Sequence, residues 1–216
     1  MSGLIVRYLL ISIIIFIPSI TFAQESSRSF DFAVALRYGL PFGEEETGYK
    51  WADLYQNLIG GSVEISKPVV PSLSLHAGIA YDSFSGKYAS FNVPPGLLVN
   101  GKFITLNPFS FYIGGKNYFL TAQQKASFGM VNPYIRVDLG MTNFNSINFD
   151  STLGTISVGD HTTAFSYALG AGVDVWTSSS LAVLAEIKYH DYGRPGGADN
   201  TLKVFPELSL GLRYAP

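Results

Sequence analysis

The sequence predicts an all-β protein: an eight-stranded antiparallel up-and-down transmembrane β-barrel. Three observations predict it. Apolar residues recur at every second position in eight separate stretches, the mark of strands with two unlike faces. The opposite face is mostly Gly, Ala and Ser with scattered charges, as at Ala33, Ala35, Gly60, Ser62, Gly78, Ala80, Ala168, Gly170 and Gly172. A soluble sandwich would instead turn a solvated polar face outward, whereas small residues suit a barrel lumen only wide enough for side chains. Finally, long and short connections take turns, which gathers the large loops at one end of the sheet.

The elements follow in order. Residues 1–23 carry one charge, Arg7, then an apolar run from Tyr8 to Ile20 broken by Pro18, then Thr21, Phe22 and Ala23. This is the layout of a secretory signal peptide cleaved after Ala23; a spanning helix needs ~20 unbroken apolar residues. The barrel domain is expected over residues 24–216. Its strands are marked by Phe30, Phe32, Val34, Leu36, Tyr38; by Ile59, Val63, Ile65; by Leu73, Leu75, Ala77, Ile79, Tyr81; and by Phe109, Phe111, Ile113. They continue with Ile135, Val137, Leu139, Met141; with Phe165, Tyr167, Leu169, Ala171, Val173, Val175; with Leu181, Val183, Ala185, Ile187, Tyr189; and with Val204, Leu208, Leu210, Leu212, Tyr214. Residues 40–57, 85–103, 143–161 and 191–203 read as long loops, 67–71 and 177–180 as short turns, and 120–132 as intermediate. Tyr38, Tyr81 and Tyr189 at the long-loop end, with Phe30, Phe119 and Tyr214 at the other, form the aromatic girdles that border a lipid-facing band. In hydrocarbon every backbone N–H and C=O needs a partner, and closure leaves no sheet edge.

Composition narrows the function. Of 14 Lys+Arg, removal of Arg7 leaves 13 against 16 Asp+Glu, so the chain offers no basic surface for nucleic acid. There is no cysteine, hence neither disulfide nor thiolate ligand. Three dispersed histidines make a poor metal set, and no cofactor is implied.

The small face also carries charge. Asp31, Arg37, Glu64, His76, Arg136, Asp138, Asp174, Glu186, Lys188, Glu207 and Arg213 share it, together with Asp82, Lys116 and His190. A selective pore tends to a lining of one sign; seven acids against five bases instead suggest a lumen charge network that fills the interior. Glycines before Lys116 suggest a bulge that would make its direction uncertain. Closure is expected to set Asp31 opposite Arg213 and Arg37 opposite Glu207. Across short turns, Glu64 is expected opposite His76, Ser66 opposite Ser74, and Arg136 near Asp174.

The stretch LAVLAEIKYHDYG, with Glu186, Lys188 and His190 in alternation, invites a catalytic reading. No serine follows His190 at short spacing, however, and His161 is followed only by Thr162 and Thr163. Structural ion-pair networks imitate catalytic clusters, so the chain reads as no enzyme. The acidic run Glu44, Glu45, Glu46 reads as a solvated loop. Nearby Tyr49, Trp51 and Tyr55 fit either a contact surface for a partner or a cover on the barrel rim.

The patterns NPYIRVDLGMTNF, FSYALGAGVDVW, LAVLAEIKYHDYG and the terminal LSLGLRYAP resemble the small outer-membrane β-barrels typified by the OmpA transmembrane domain and OmpX, from about Phe30 to Tyr214. The resemblance implies a bacterial outer membrane, both termini periplasmic and four long loops outside. It implies surrounding outer-membrane lipid and lipopolysaccharide, insertion by the barrel assembly machinery, and a structural, adhesive or envelope-integrity role with an extracellular loop partner. Two alternatives stay open: a lipid-modifying enzyme similar to the lipid A deacylases, which use a His and a Ser two residues apart with an acid, and a narrow pore.

Overall fold

The computed structural model describes residues 30–43, 50–93, 97–120, 128–198 and 200–216. The expected signal peptide, the Glu44–Glu46 run and Tyr49 lie outside the described residues. Eight strands close into an antiparallel barrel: β1 (Asp31–Phe42), β2 (Tyr55–Val70), β3 (Leu73–Gly86), β6 (Phe109–Tyr118), β7 (Val131–Phe144), β10 (Thr162–Trp176), β11 (Leu181–Asp191) and β12 (Lys203–Tyr214). Each pairs with its neighbour in the chain, and β1 pairs with β12 to complete the ring. A single helical turn, α1 (Trp51–Leu54), precedes β2.

Alternation sets the two faces. Phe32, Val34, Leu36 and Tyr38 on β1, Leu208, Leu210 and Leu212 on β12, and their counterparts around the ring point outward and are exposed, Leu36 to 76 %. An apolar exterior of this extent is what a membrane-spanning barrel presents to hydrocarbon.

Two segments expected as loops are strands. Residues 85–103 and 143–161 contain β4 (Tyr88–Val93), β5 (Leu97–Phe103), β8 (Ile147–Ser151) and β9 (Gly154–Gly159), which form a second sheet in the order β4-β5-β8-β9 at the long-connection end. The join is between β5 and β8, where Phe103 lies opposite Phe149. Their Gly and Asn content resembles that of a loop, and neither segment alone has enough alternation to announce a strand. Pairing between the two excursions supplies what each lacks.

Register departs from expectation by two residues in two places. On the closing seam Arg213 stands opposite Ala33 and Arg37 opposite Ser209, so neither Asp31 and Arg213 nor Arg37 and Glu207 are directly opposed. In the first short hairpin Ser66, not Glu64, faces His76, because β2 runs on to Val70 and the turn tightens to Pro71–Ser72. A shift of two preserves the face of every side chain, so lipid and lumen constrain parity and leave the offset to turn geometry. The expected approach of Arg136 to Asp174 also fails: Arg136 lies opposite Gly170, while Asp174 lies opposite Asn132 near the short-turn end.

One strand changes parity. On β12, Phe205 and Pro206 together oppose a single residue of β1 and of β11, a β-bulge. Val204, expected on the lipid face with Leu208, therefore turns inward and is fully buried, while Phe205 is exposed. The bulge suspected before Lys116 is absent, and β6 pairs regularly with both neighbours through Gly114 and Gly115.

Candidate functional site

The inward faces of the eight strands hold the charged residues singled out in the sequence. Asp31, Arg37, Glu64, His76, Asp82, Lys116, Arg136, Asp138, Asp174, Glu186, Lys188, His190, Glu207 and Arg213 are all buried. They fall into three levels along the barrel axis.

At the outer level Arg37 is the hub. Its guanidinium reaches Asp82 and Glu207, each at 2.8 Å, and donates to the Tyr192 hydroxyl at 3.0 Å. The Tyr192 hydroxyl donates in turn to Asp82 at 2.8 Å. Glu207 also receives Lys188 at 2.9 Å and His190 Nδ1 at 2.9 Å, so a His190 proton on Nδ1 is directed at a carboxylate. Although two residues out of direct register, Arg37 spans the diagonal to Glu207 because its side chain is long and both residues face the lumen.

At the middle level Arg136 is surrounded by three carboxylates: Glu186 at 2.6 Å, Asp138 at 2.8 Å and Glu64 at 3.1 Å. Lys116 adds a bond of 2.6 Å to Glu64, and His76 Nε2 lies 2.6 Å from Asp138. Tyr134 donates to Glu186 at 2.7 Å. At the short-turn level Arg213 meets Asp174 at 2.7 Å and the hydroxyl of Tyr118, and Tyr118 donates to Asp174 at 3.2 Å. Asp31 is buried at this end, opposite Ser66.

The levels are linked. Lys188 stands 3.7 Å from Glu186 as well as beside Glu207, and Arg213 stands 4.0 Å from Glu64. One can step from Asp82 to Asp174 through alternating charges without leaving the lumen. Among buried ions such alternation is a requirement, since an uncompensated charge here would cost several kcal/mol.

Sequence reasoning missed two parts of this interior. The first is a set of inward tyrosines. Lys116 lies 5.2 Å from the Tyr134 ring, Arg136 is 5.9 Å from the Tyr112 ring and Arg213 is 5.8 Å from the Tyr118 ring, so each cation has an aromatic face in addition to its carboxylates. The available signal was parity: Tyr112 and Tyr118 share the face of Lys116, and Tyr134 that of Arg136. Glycines on neighbouring strands make room for them; a Cβ at Gly172 would fall 2.7 Å from Cζ of Tyr134.

The second is an apolar cap over the long-connection end. Leu58, Phe84, Leu106, Phe144, Leu202 and Val204 are fully buried there, with Trp51, Tyr55, Phe103 and Phe149 around them. Phe103 and Phe149 meet at 5.2 Å where the outer sheet crosses. Trp51 and Tyr55 stack at 6.2 Å inside this cluster, so they cover the rim and do not present a contact surface. Tyr192 joins cap to network: its ring meets Phe84 at 5.8 Å while its hydroxyl serves Arg37 and Asp82. Asp191, next to it, accepts from the Gly193 amide and the Thr201 hydroxyl and so ties down the last connection.

His76 and His190 face the lumen and are bonded to acids, and among the described residues neither they nor His161 hydrogen-bonds to a serine or threonine hydroxyl. No described group of three or more His, Asp or Glu is arranged to hold a metal ion.

No protein-family model matches the chain, and no curated protein matches it. Solved structures do. Neisserial surface protein A is 14% identical with a TM-score of 0.53, the match covering 86% of this chain and 96% of that one. The outer membrane protein OprG from Pseudomonas aeruginosa is 14% identical with a TM-score of 0.54, covering 88% of this chain and 97% of that one. At such identity the likeness is one of fold, and it extends over nearly the whole of both partners. The chain has the fold of the small eight-stranded outer-membrane β-barrels.

Proposed function

We propose that this protein resides in a bacterial outer membrane with both termini periplasmic, that its lumen is plugged, and that it acts outside the membrane by offering its second sheet to a macromolecular partner. The observation that carries the reading is strand β9. Its residues, Gly154 to Gly159, include neither a charge nor a proline, and Ile156 and Val158 are exposed. It is the last strand of its sheet, hydrogen-bonded to β8 on one side, and on the other it is open up to Gly159, which lies against Gly196. Natural edge strands are usually blunted by charge, proline or cover; one left bare is a template on which another chain can add a strand. The barrel beneath supplies a rigid base, since its cap and charge network join the sheet to the lumen through Phe103, Phe149 and Tyr192.

The experiment compares bacteria displaying the wild-type protein with bacteria displaying I156K/V158K, which places charge along the edge without touching the barrel. Wild-type cells adhere to surfaces coated with extracellular-matrix protein, and the double variant falls to the level of cells lacking the protein. Equal adherence of the two removes β9 as the contact, and no adherence of either leaves a purely structural role in the envelope.

A further inference from the structure

A trough runs along the outside of the barrel, over β2, β3, β6 and β7, where the belt of large lipid-facing side chains is interrupted. Its floor is Ala77 and Gly115. Ala77 stands between Ile65 of β2 and Ile113 of β6; Gly115 stands on the next row towards the short turns, between Leu75 and Val137. Two confluent hollows of about 750 and 620 Å³ result, sharing Ile65, Ala77, Ile113 and Leu139. Packing does not require the glycine: the nearest neighbours of a Cβ there, in Leu73, Leu75 and Ser74, would be 3.6 Å or more away.

The trough is closed at its short-turn end by a cation. Lys67 follows Ile65 on the outward face of β2 and is exposed, with Nζ 5.4 Å from the centre of the Phe30 ring. Among the described residues no carboxylate lies within ion-pairing distance of it, in contrast to every Lys and Arg of the lumen. From Lys67 to Val63, level with Phe111, is about 14 Å of strand at ~3.4 Å per residue. At a strand tilt of ~35–45° it covers ~10–11 Å of depth, close to half of the ~25 Å apolar band of such a barrel and so within one leaflet.

We infer that this trough binds one glycerophospholipid of the leaflet at the short-turn end, its phosphate on Lys67 and one acyl chain laid over Gly115 and Ala77. Charge complementarity and length select the occupant: an apolar chain no longer than a leaflet, with an anion at the interface. A lipid wedged in this hollow replaces packing that the small side chains leave unmade. Placing that leaflet on the periplasmic side rests on the orientation proposed above.

The test uses the full barrel, refolded in micelles doped with equal amounts of dioleoyl phosphatidylglycerol and dioleoylglycerol, and native mass spectrometry of the released protein. The wild type retains one phosphatidylglycerol, preferred over the phosphate-free lipid by about tenfold, the size of one charge-assisted hydrogen bond. K67Q lowers that preference towards unity, and G115L, which fills the floor, lowers retention of both lipids. A171L, a filling change on the exposed face of β10, alters neither. Heat-modifiable migration on gels verifies that each variant is folded. Equal retention of the two lipids by the wild type, or retention by G115L equal to that of the wild type, overturns the inference. Orientation is read separately, by labelling S178C in the β10–β11 turn from the two sides of the intact outer membrane. An inverted result there overturns the leaflet assignment while leaving retention in micelles as the measure of the trough itself.

Discussion

Arg136 is the residue on which the middle of the lumen depends. Three carboxylates, Glu64, Asp138 and Glu186, approach it within 3.1 Å, while Lys116 and His76 share the load closely and Lys188 and Arg213 from 3.7 to 4.0 Å. Arg136→Met is therefore expected to destabilise the barrel by about 3–5 kcal/mol, the range for removing one partner of a buried pair, read from urea unfolding in lipid vesicles. Adding Glu186→Gln should restore part of the loss, because the second change removes a charge that the first leaves unpaired, and groups of one network do not act additively. If the double variant unfolds as the sum of the two singles, the residues do not share a network. A second expectation concerns space. Tyr134 lies so close to Gly172 that an added Cβ would sit 2.7 Å from its Cζ and 2.9 Å from the Ala185 carbonyl. Gly172→Ala should cost about 1–3 kcal/mol by overpacking, whereas Ala171→Leu beside it, facing lipid, should be nearly neutral in the same unfolding experiment.

Among the elements β12 is the one whose shape is least dictated by its own pattern. Deleting Pro206 would remove the extra residue yet keep Glu207 and Val204 inward with Phe205 outward between them, so the contribution of the bulge to the cap is tested through Val204 itself, by Val204→Ala. Loss of the buried Val204 alone is worth about 1.5–3 kcal/mol. The cap should loosen, and with Trp176 replaced by Phe the emission of buried Trp51 should shift to the red while the barrel still migrates as folded. An unshifted Trp51 would mean that the cap does not lean on Val204. The same strand shows what was legible beforehand. A period of two makes the inward set of a strand readable from any one anchored residue, which is why Glu207, Ser209, Gly211 and Arg213 could be assigned to one face. A bulge breaks that inference beyond the point where it occurs, and nothing in VFPEL marks it apart from the proline. Offset between strands is a different quantity: Ser66 facing His76, and Arg213 facing Ala33, depend on how a turn closes and on how the ring is staggered. Opposite charges cannot supply that offset when side chains as long as that of Arg37 reach diagonally. The outer sheet was hidden for a further reason, since β5 and β8 are more than forty residues apart and become strands by meeting each other.

At the scale of the whole molecule the proposed plug closes the lumen twice, by unlike materials. The cap is a layer of Leu58, Phe84, Leu106 and Phe144 under the outer sheet, and below it the alternating charges run from Asp82 to Asp174. Hydrocarbon excludes ions by leaving them without solvation. In the proposed plug the network would exclude them differently, by occupying the bore with side chains that are already paired. The two barriers are in series, so opening either alone should leave the barrel closed. Phe84→Ala with Leu106→Ala would hollow the cap but leave Arg37, Arg136 and Arg213 in place; Arg136→Ala with Glu186→Ala would thin the network under an intact cap. Each pair is expected to be silent in planar bilayers at a driving potential, and the fourfold variant is expected to conduct. Its selectivity should favour cations, because removing Arg136 and Glu186 leaves Glu64 and Asp138 with fewer basic neighbours along the bore. Conductance in the wild type, or in the cap variant alone, would show that the paired charges leave a water path and would move the narrow-pore alternative ahead of the plug.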